Sequence, residues 1–159
     1  MSKDARFEDG AEAPLRLVAT DAEDLSVVSS LVQDAVLPAT EISWQPKDKR
    51  LSLLLNRFRW EDAPAAERGN RSYERVQSVL TFNDVQGVSS QGIDRKDQDT
   101  VLSLLEISFS ETEAPSGHLE LTFAGDGALR LKVETLEVVL KDVTRPYVAP
   151  SGLAPSHSA

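Results

Sequence analysis

His118-Leu119-Glu120-Leu121-Thr122-Phe123-Ala124-Gly125-Asp126-Gly127-Ala128-Leu129-Arg130-Leu131-Lys132-Val133-Glu134 decides the fold class of this chain. Leu119, Leu121 and Phe123 alternate with polar residues before the Gly125-Asp126-Gly127 turn, and Leu129, Leu131 and Val133 alternate after it. In a strand, successive side chains point to opposite faces, so this spacing predicts an antiparallel hairpin with one buried face. The passage carries no chemistry.

The same grammar recurs upstream. Ser72 to Phe82 alternates with Val76, Leu80 and Phe82 in phase, and Asn83-Asp84 marks a bend. Val85 to Ile93 reads as a weaker strand, where Gly87 and Gly92 suggest a bulge or a close backbone approach. Val101 to Phe109 reads as a strand with Val101, Leu105, Ile107 and Phe109 in phase. In Leu51 to Trp60, Leu51, Leu53 and Leu55 point one way and Leu54, Phe58 and Trp60 the other, which predicts a strand covered on both faces. Short strands are expected at 15–19 and 41–45, and a charged surface loop at 61–70.

One early helix is expected. Thr20-Asp21-Ala22-Glu23 has the form of a capping box, with Thr20 as the N-cap. Leu25, Val28, Leu31, Val32 and Ala35 then fall on one helical stripe that runs to Val36 and closes at Pro38. Thr135 to Val143 fits either a helix or a strand, and its Leu136, Val139, Leu140 and Val143 spacing reads as a short helix.

These elements predict an α+β fold: a mostly antiparallel, bent meander or barrel-like sheet of about seven strands, with the early amphipathic helix covering one face or opening. Strands followed by a short C-terminal helix also match the element order of pleckstrin-homology-like barrels, and element order carries no function with it. The expected organisation is a mobile arm over 1–14, one globular domain over 15–143 and a loose Pro/Ser/Gly-rich tail over 144–159.

Composition narrows the function classes. The chain has 159 residues, no cysteine and a net charge of −9. Without cysteine there are no disulfides, thiolate zinc sites or cysteine nucleophiles. The N-terminus lacks the apolar run of a signal peptide, and no stretch approaches a membrane span, so a cytoplasmic protein with no membrane partner is expected. Overall acidity disfavours nucleic acid, because the long-range field repels phosphate. The charge is uneven, however. Residues 1–45 hold three basic and nine acidic side chains, residues 46–75 eight and five, and residues 76–159 six and twelve.

Three strings carry a resemblance: Asp24-Leu25 through Leu31-Val32-Gln33-Asp34-Ala35-Val36, Asn56-Arg57-Phe58-Arg59-Trp60-Glu61, and Arg75-Val76-Gln77-Ser78-Val79-Leu80. Over roughly Leu15 to Val143 they resemble a family of small bacterial proteins catalogued only as a domain of unknown function. The resemblance implies a single cytoplasmic domain and brings no activity, cofactor or catalytic residue with it.

No catalytic set, metal site or cofactor site is expected. His157 falls in the tail and His118 on the polar face of the hairpin, which suits exposed, structural histidines. Gly87 to Gly92 lacks the spacing of a nucleophile elbow. Asp94, Asp97 and Asp99 share a loop with Arg95 and Lys96, which oppose a cation, and no Gly-rich loop leads into a helix to cradle phosphate.

One constellation remains. Arg57, Arg59, Arg68, Arg71 and Arg75 lie close to Phe58, Trp60 and Tyr73. Guanidinium groups grip carboxylates and phosphates as a fork and stack on rings, so Arg57, Arg59, Trp60, Arg71, Tyr73 and Arg75 form a candidate binding patch. The competing reading pairs these arginines with Glu61, Asp62, Glu67 and Glu74 as surface salt bridges. On the first reading the protein is a non-enzymatic interaction module for an acidic partner. The alternative is a small-ligand protein or enzyme that holds an anionic ligand between Arg57 and Arg75 in the barrel mouth.

Overall fold

The predicted hairpin forms, and all six of its alternating apolar residues are buried. In the computed structural model, residues 14–94, 99–148 and 154–155 are described. The strands among them are β1 (Arg16–Ala19), β2 (Val36–Pro38), β3 (Ile42–Gln45), β4 (Arg50–Phe58), β5 (Glu74–Phe82), β6 (Val85–Gln91), β7 (Val101–Glu111), β8 (Gly117–Phe123), β9 (Gly127–Val133), β10 (Val138–Asp142) and β11 (Tyr147–Val148). Two helices, α1 (Ala22–Leu31) and α2 (Ala63–Arg68), complete the fold with two short 3-10 turns. At the hairpin tip, Gly125 and Asp126 take φ of 81° and 67°, the left-handed conformation that glycine and aspartate tolerate best.

All eleven strands join one open sheet in the order β1-β10-β5-β4-β2-β7-β8-β9-β6, with β11 also on β5 and β3 also on β4. Every pairing is antiparallel. The antiparallel class is as expected; the count of about seven is corrected to eleven. The expected short strands at 15–19 and 41–45 are β1 and β3; the additional ones are β2 and β11, of three and two residues, too short for a period to show, and β10, which lies in the segment read as a helix. Nor is the sheet one meander. β10 inserts between β1 and β5, and β2 bridges β4 to β7. The sheet therefore has two wings that bend over one core. Leu51, Leu53, Leu80 and Leu140 from one wing cluster with Leu119, Leu121, Leu129 and Leu131 from the other.

Helix α1 packs on β1 and β7 through Leu25 and Val28. Its cap is Asp21 rather than Thr20: the Asp21 carboxylate accepts from the Asp24 amide at 2.8 Å. The helix stops at Leu31, not Val36. Asp34 turns left-handed, with φ 63°, and donates its amide to the Leu104 carbonyl at 2.7 Å. Leu104 returns a bond to the Ala35 carbonyl, so the chain is drawn into the sheet as β2. Val32 and Ala35 still reach the core, but from beyond the helix.

Other expectations are also corrected. Thr135–Val143 is not a helix, because Val138–Asp142 pairs with β1 on one side and β5 on the other. A strand flanked on both sides satisfies its backbone groups entirely through the sheet. On β7 the buried residues are Leu102, Leu104 and Ile107, while Val101 is exposed. A bulge between Leu104 and Glu106 makes Leu105 the extra residue and switches the phase. The Ser29 hydroxyl of α1 accepts the Ile107 amide beside it. The bulge expected at the β6 glycines is present between Val85 and Gly87. The 61–70 loop contains α2, and the tail is ordered as far as β11 on β5. Residues 1–13 of the arm, 95–98 of the charged loop, and 149–153 and 156–159 of the tail lie outside the described residues.

Two substitutions test these local constraints in urea denaturation. Asp21→Ala should cost about 1 kcal/mol as a lost N-cap, with Thr20→Ala clearly milder; the reverse order would restore Thr20 as the cap. A Cβ on Gly117 would stand 2.6 Å from the Ser110 carbonyl oxygen, which belongs to the paired strand and cannot yield. Gly117→Ala should therefore cost on the order of 1–3 kcal/mol, and an unchanged midpoint would mean that the β7–β8 ladder is looser than drawn.

Candidate functional site

β4 and β5 pair from Leu51↔Phe82 to Phe58↔Arg75, and this register places the candidate arginines. Alternation along β4 puts Arg57 on the face of Leu51, Leu53 and Leu55, which is the core side. Arg57 is 0% exposed, so it is not part of a surface patch, as the sequence reading had it. An arginine survives there because every donor finds a partner. Nη1 and Nη2 form a fork on Glu61 at 2.8 and 2.9 Å. Nη2 also reaches both Asp142 oxygens at 3.1 Å, Nε meets Asp142 and Ser78 Oγ at 3.2 Å, and Nη1 reaches the Phe58 carbonyl at 3.4 Å.

Asp142 is equally engaged. It accepts from Ser78 Oγ at 2.7 Å and from the Leu15 amide at 3.1 Å. Burial works against the Arg57 charge, but the bonds and charges of Glu61 and Asp142 outweigh it and hold the guanidinium more firmly protonated than usual. For Glu61, burial pushes the carboxyl up, while Arg57 and then Arg59 pull it further down, below its ordinary value.

The remaining predicted residues separate into a neutralised group and one exception. Arg59 pairs with Glu74 and lies 3.7 Å from Asp62. Arg71 forks onto Asp62 at 2.6 and 2.9 Å, and its hydrogen bonds, against slight desolvation, hold Asp62 below the ordinary carboxylate range. Tyr73 donates to Glu67 at 2.7 Å, a bond that raises its phenol pKa. Trp60 donates its indole N–H to the Gln33 carbonyl at 3.0 Å and meets Phe58 edge-on at 4.6 Å; Tyr73 stacks tilted on Phe58 at 5.5 Å. Arg68 lies in the last turn of α2 and is exposed.

Arg75 is the exception. It is half-buried on the outer face, opposite Phe58 on one side and Tyr147 on the other. Its guanidinium donates to the Asn56 side chain and, at 3.1 Å, to the Asn56 carbonyl. Among the described residues no carboxylate lies within ion-pair distance of it. Burial pulls its pKa below the ordinary value, against the opposing charges of Tyr147 and Asp34. Asn56 in turn donates to the Tyr147 hydroxyl.

Asn56, Ser78, Asp142 and Tyr147 were not read as site residues. Only Asp142 and Ser78 left a trace in the sequence. Asp142 continues the buried phase of Val138 and Leu140, and Ser78 that of Val76 and Leu80, so a polar residue stands where core is due. Asn56 and Tyr147 meet only through the β4–β5–β11 register. Among the described residues, no three metal-ligating side chains come together.

Removing one partner of a buried pair strands the other charge. Asp142→Asn or Arg57→Ala should thus cost about 3–5 kcal/mol, measured by urea unfolding at pH 7, and a loss under 1 kcal/mol would show that water reaches the pair. The pH dependence has a definite sign. The folded pKa of Glu61 is lowered, so its contribution is fully present above its ordinary value of 4.5 and is lost as pH falls through the folded value. The acid limb of the stability curve should flatten in Glu61→Gln; an unchanged limb would remove Glu61 from the linkage.

No curated protein and no solved structure matches the chain. The strings that surround this site do have relatives, since the buried Arg57 and the half-buried Arg75 both fall within residues 15–157, which match a family model described as "Protein of unknown function (DUF2948)". The chain belongs to that family.

Proposed function

We propose that this domain is a non-enzymatic interaction module of the cytoplasm, and that it binds an acidic protein segment on the outer face around Arg75. One observation carries the reading: Arg75 is a half-buried guanidinium whose bonds, among the described residues, go to Asn56, an uncharged side chain and its carbonyl. A planar fork held in place by a neutral partner keeps a full charge for an incoming carboxylate, and little side-chain freedom is lost on binding. Tyr147 is 37% exposed and Val148 58% exposed beside it, an aromatic and apolar rim of the kind found at protein contacts.

The surrounding salt bridges support the same reading. Arg59 and Arg71 are occupied by Glu74 and Asp62, so they hold the neighbouring loop in place and leave recognition to Arg75. A ligand shared between Arg57 and Arg75 is disfavoured, because Arg57 has spent its donors on Glu61, Asp142, Ser78 and Phe58. The net charge of −9 disfavours nucleic acid, whose phosphates the wider field repels.

A glutamate-rich fluorescent peptide provides the probe. By anisotropy it should bind the parent at low ionic strength and weaken as salt rises, since steering is screened within about 10 Å at 0.1 M. Arg75→Gln should keep the melting temperature within a few degrees and lose most of that binding, and Arg75→Lys should not restore it, because the fork is gone. Equal binding by a folded Arg75→Gln variant would remove this surface from the proposal.

A further inference from the structure

A second group of basic residues stands on the other wing, on the outer face of β6, β9 and β8. His118 of β8 lies opposite Lys132 of β9, which lies opposite Gly87 of β6. In the next row Arg130 lies opposite Ser89. Gly87, Val88, Ser89, His118, Arg130 and Lys132 line one shallow cavity of about 290 Å³. Its ionisable lining is wholly histidine, arginine and lysine, in a chain with 26 acidic and 17 basic side chains. Among the described residues none of the three has a carboxylate within ion-pair distance.

We propose that this groove is a binding site for a small phosphomonoester. Arg130 and Lys132 are next-but-one neighbours on one face of β9, so their stems rise roughly 7 Å apart and can close on one tetrahedral anion from two sides. His118 stands directly across from Lys132. A ring N–H of His118 and the Lys132 ammonium can both donate to an anion held between them. Arg130 supplies a fork and Lys132 a point charge, the pairing suited to phosphate oxygens. The Ser89 hydroxyl adds a donor.

The floor is open because of Gly87. A Cβ built there meets nothing within 4 Å, so a side chain at this position would fill the cavity rather than the core. The bulge between Val85 and Gly87 sets the glycine, rather than Gln86, opposite Lys132. At about 290 Å³ the cavity lies at the small end of ligand sites, which suits a phosphate with a short organic group against Val88 rather than a large cofactor. Glu120 stands opposite Arg130 on the side away from Ser89 without closing to ion-pair distance, and it opposes an anion.

Titration with glycerol 3-phosphate, inorganic phosphate and succinate at constant ionic strength, followed by amide NMR of the full chain, tests the site. Both phosphates should move the Gly87, Ser89 and Lys132 resonances saturably, the organic ester more tightly, with succinate much weaker. The exposed double substitution Arg130→Gln/Lys132→Gln should weaken binding by about tenfold or more, as loss of two charge-assisted contacts implies. Glu120→Gln should strengthen it several-fold, a gain that no loss of folding can imitate. Inorganic phosphate binding more tightly than the ester, succinate shifting the same amides equally, shifts spread over the basic surface, or affinity unchanged in both variants would each overturn the proposal. Arg75→Gln should leave this binding intact, so the two surfaces succeed or fail separately.

Discussion

The buried contact between Arg57 and Asp142 is the constraint around which the first wing is assembled. Two charges removed from water are tolerated only when geometry satisfies nearly every donor and lone pair. Here Glu61 forks onto the outer edge of the guanidinium, Ser78 bridges the inner edge, and the Leu15 amide takes the remaining carboxylate oxygen. Four separate stretches of chain are thereby held to one point: the end of β4, the middle of β5, the end of β10 and the entry to β1. No buried side-chain polar atom among the described residues is left without a partner. The apolar rows on either side could slide by two residues and still bury their leucines; the ion pair cannot, so it selects the register that hydrophobic pattern alone leaves degenerate.

That arrangement divides the arginine-rich segment by role. Arg57 belongs to the core. Arg59 and Arg71, with Glu74 and Asp62, brace the loop that carries α2, while Phe58, Trp60 and Tyr73 pack on one another. Arg75 alone of the predicted patch presents its charge outward with only an amide beneath it. On the opposite wing, Arg130, Lys132 and His118 collect around a glycine floor. An acidic chain thus keeps two local reversals of sign, one on each outer face of a single bent sheet. Both sit on paired strands rather than on loops, which fixes the geometry of their charged groups.

Strand class, hairpin and core were legible because period-2 alternation survives wherever a strand is long and one face is buried. Leu119 to Val133 and Val76 to Phe82 are read correctly to the residue. The failures have definite causes. The Asp34 turn diverts a helical stripe into β2, so Val32 and Ala35 keep their burial but lose their helix. The bulge at Leu105 transfers burial from the even positions Leu102 and Leu104 to the odd position Ile107 along β7. The Leu136, Val139, Leu140 and Val143 spacing favoured a helix over β10, and the cation that Asp142 meets lies far away in sequence. The arginine cluster itself was visible, as was its pairing with Glu61, Asp62 and Glu74. Which arginine stayed uncompensated was not, since that depends on strand register and on β11.

The Arg57–Asp142 contact also has a consequence for how the chain is made. Its partners are 85 positions apart. At roughly 5–20 residues per second, translation needs about 4–17 s to pass from one to the other. Throughout that interval β4 and β5 can form their hairpin, but the arginine has no aspartate to accept it and has only its near neighbour Glu61 as an ionic partner. The first wing therefore closes late, when β10 emerges and slots between β1 and β5. Synthesis delivers an acid to a waiting base, and the domain becomes a domain only at that delivery.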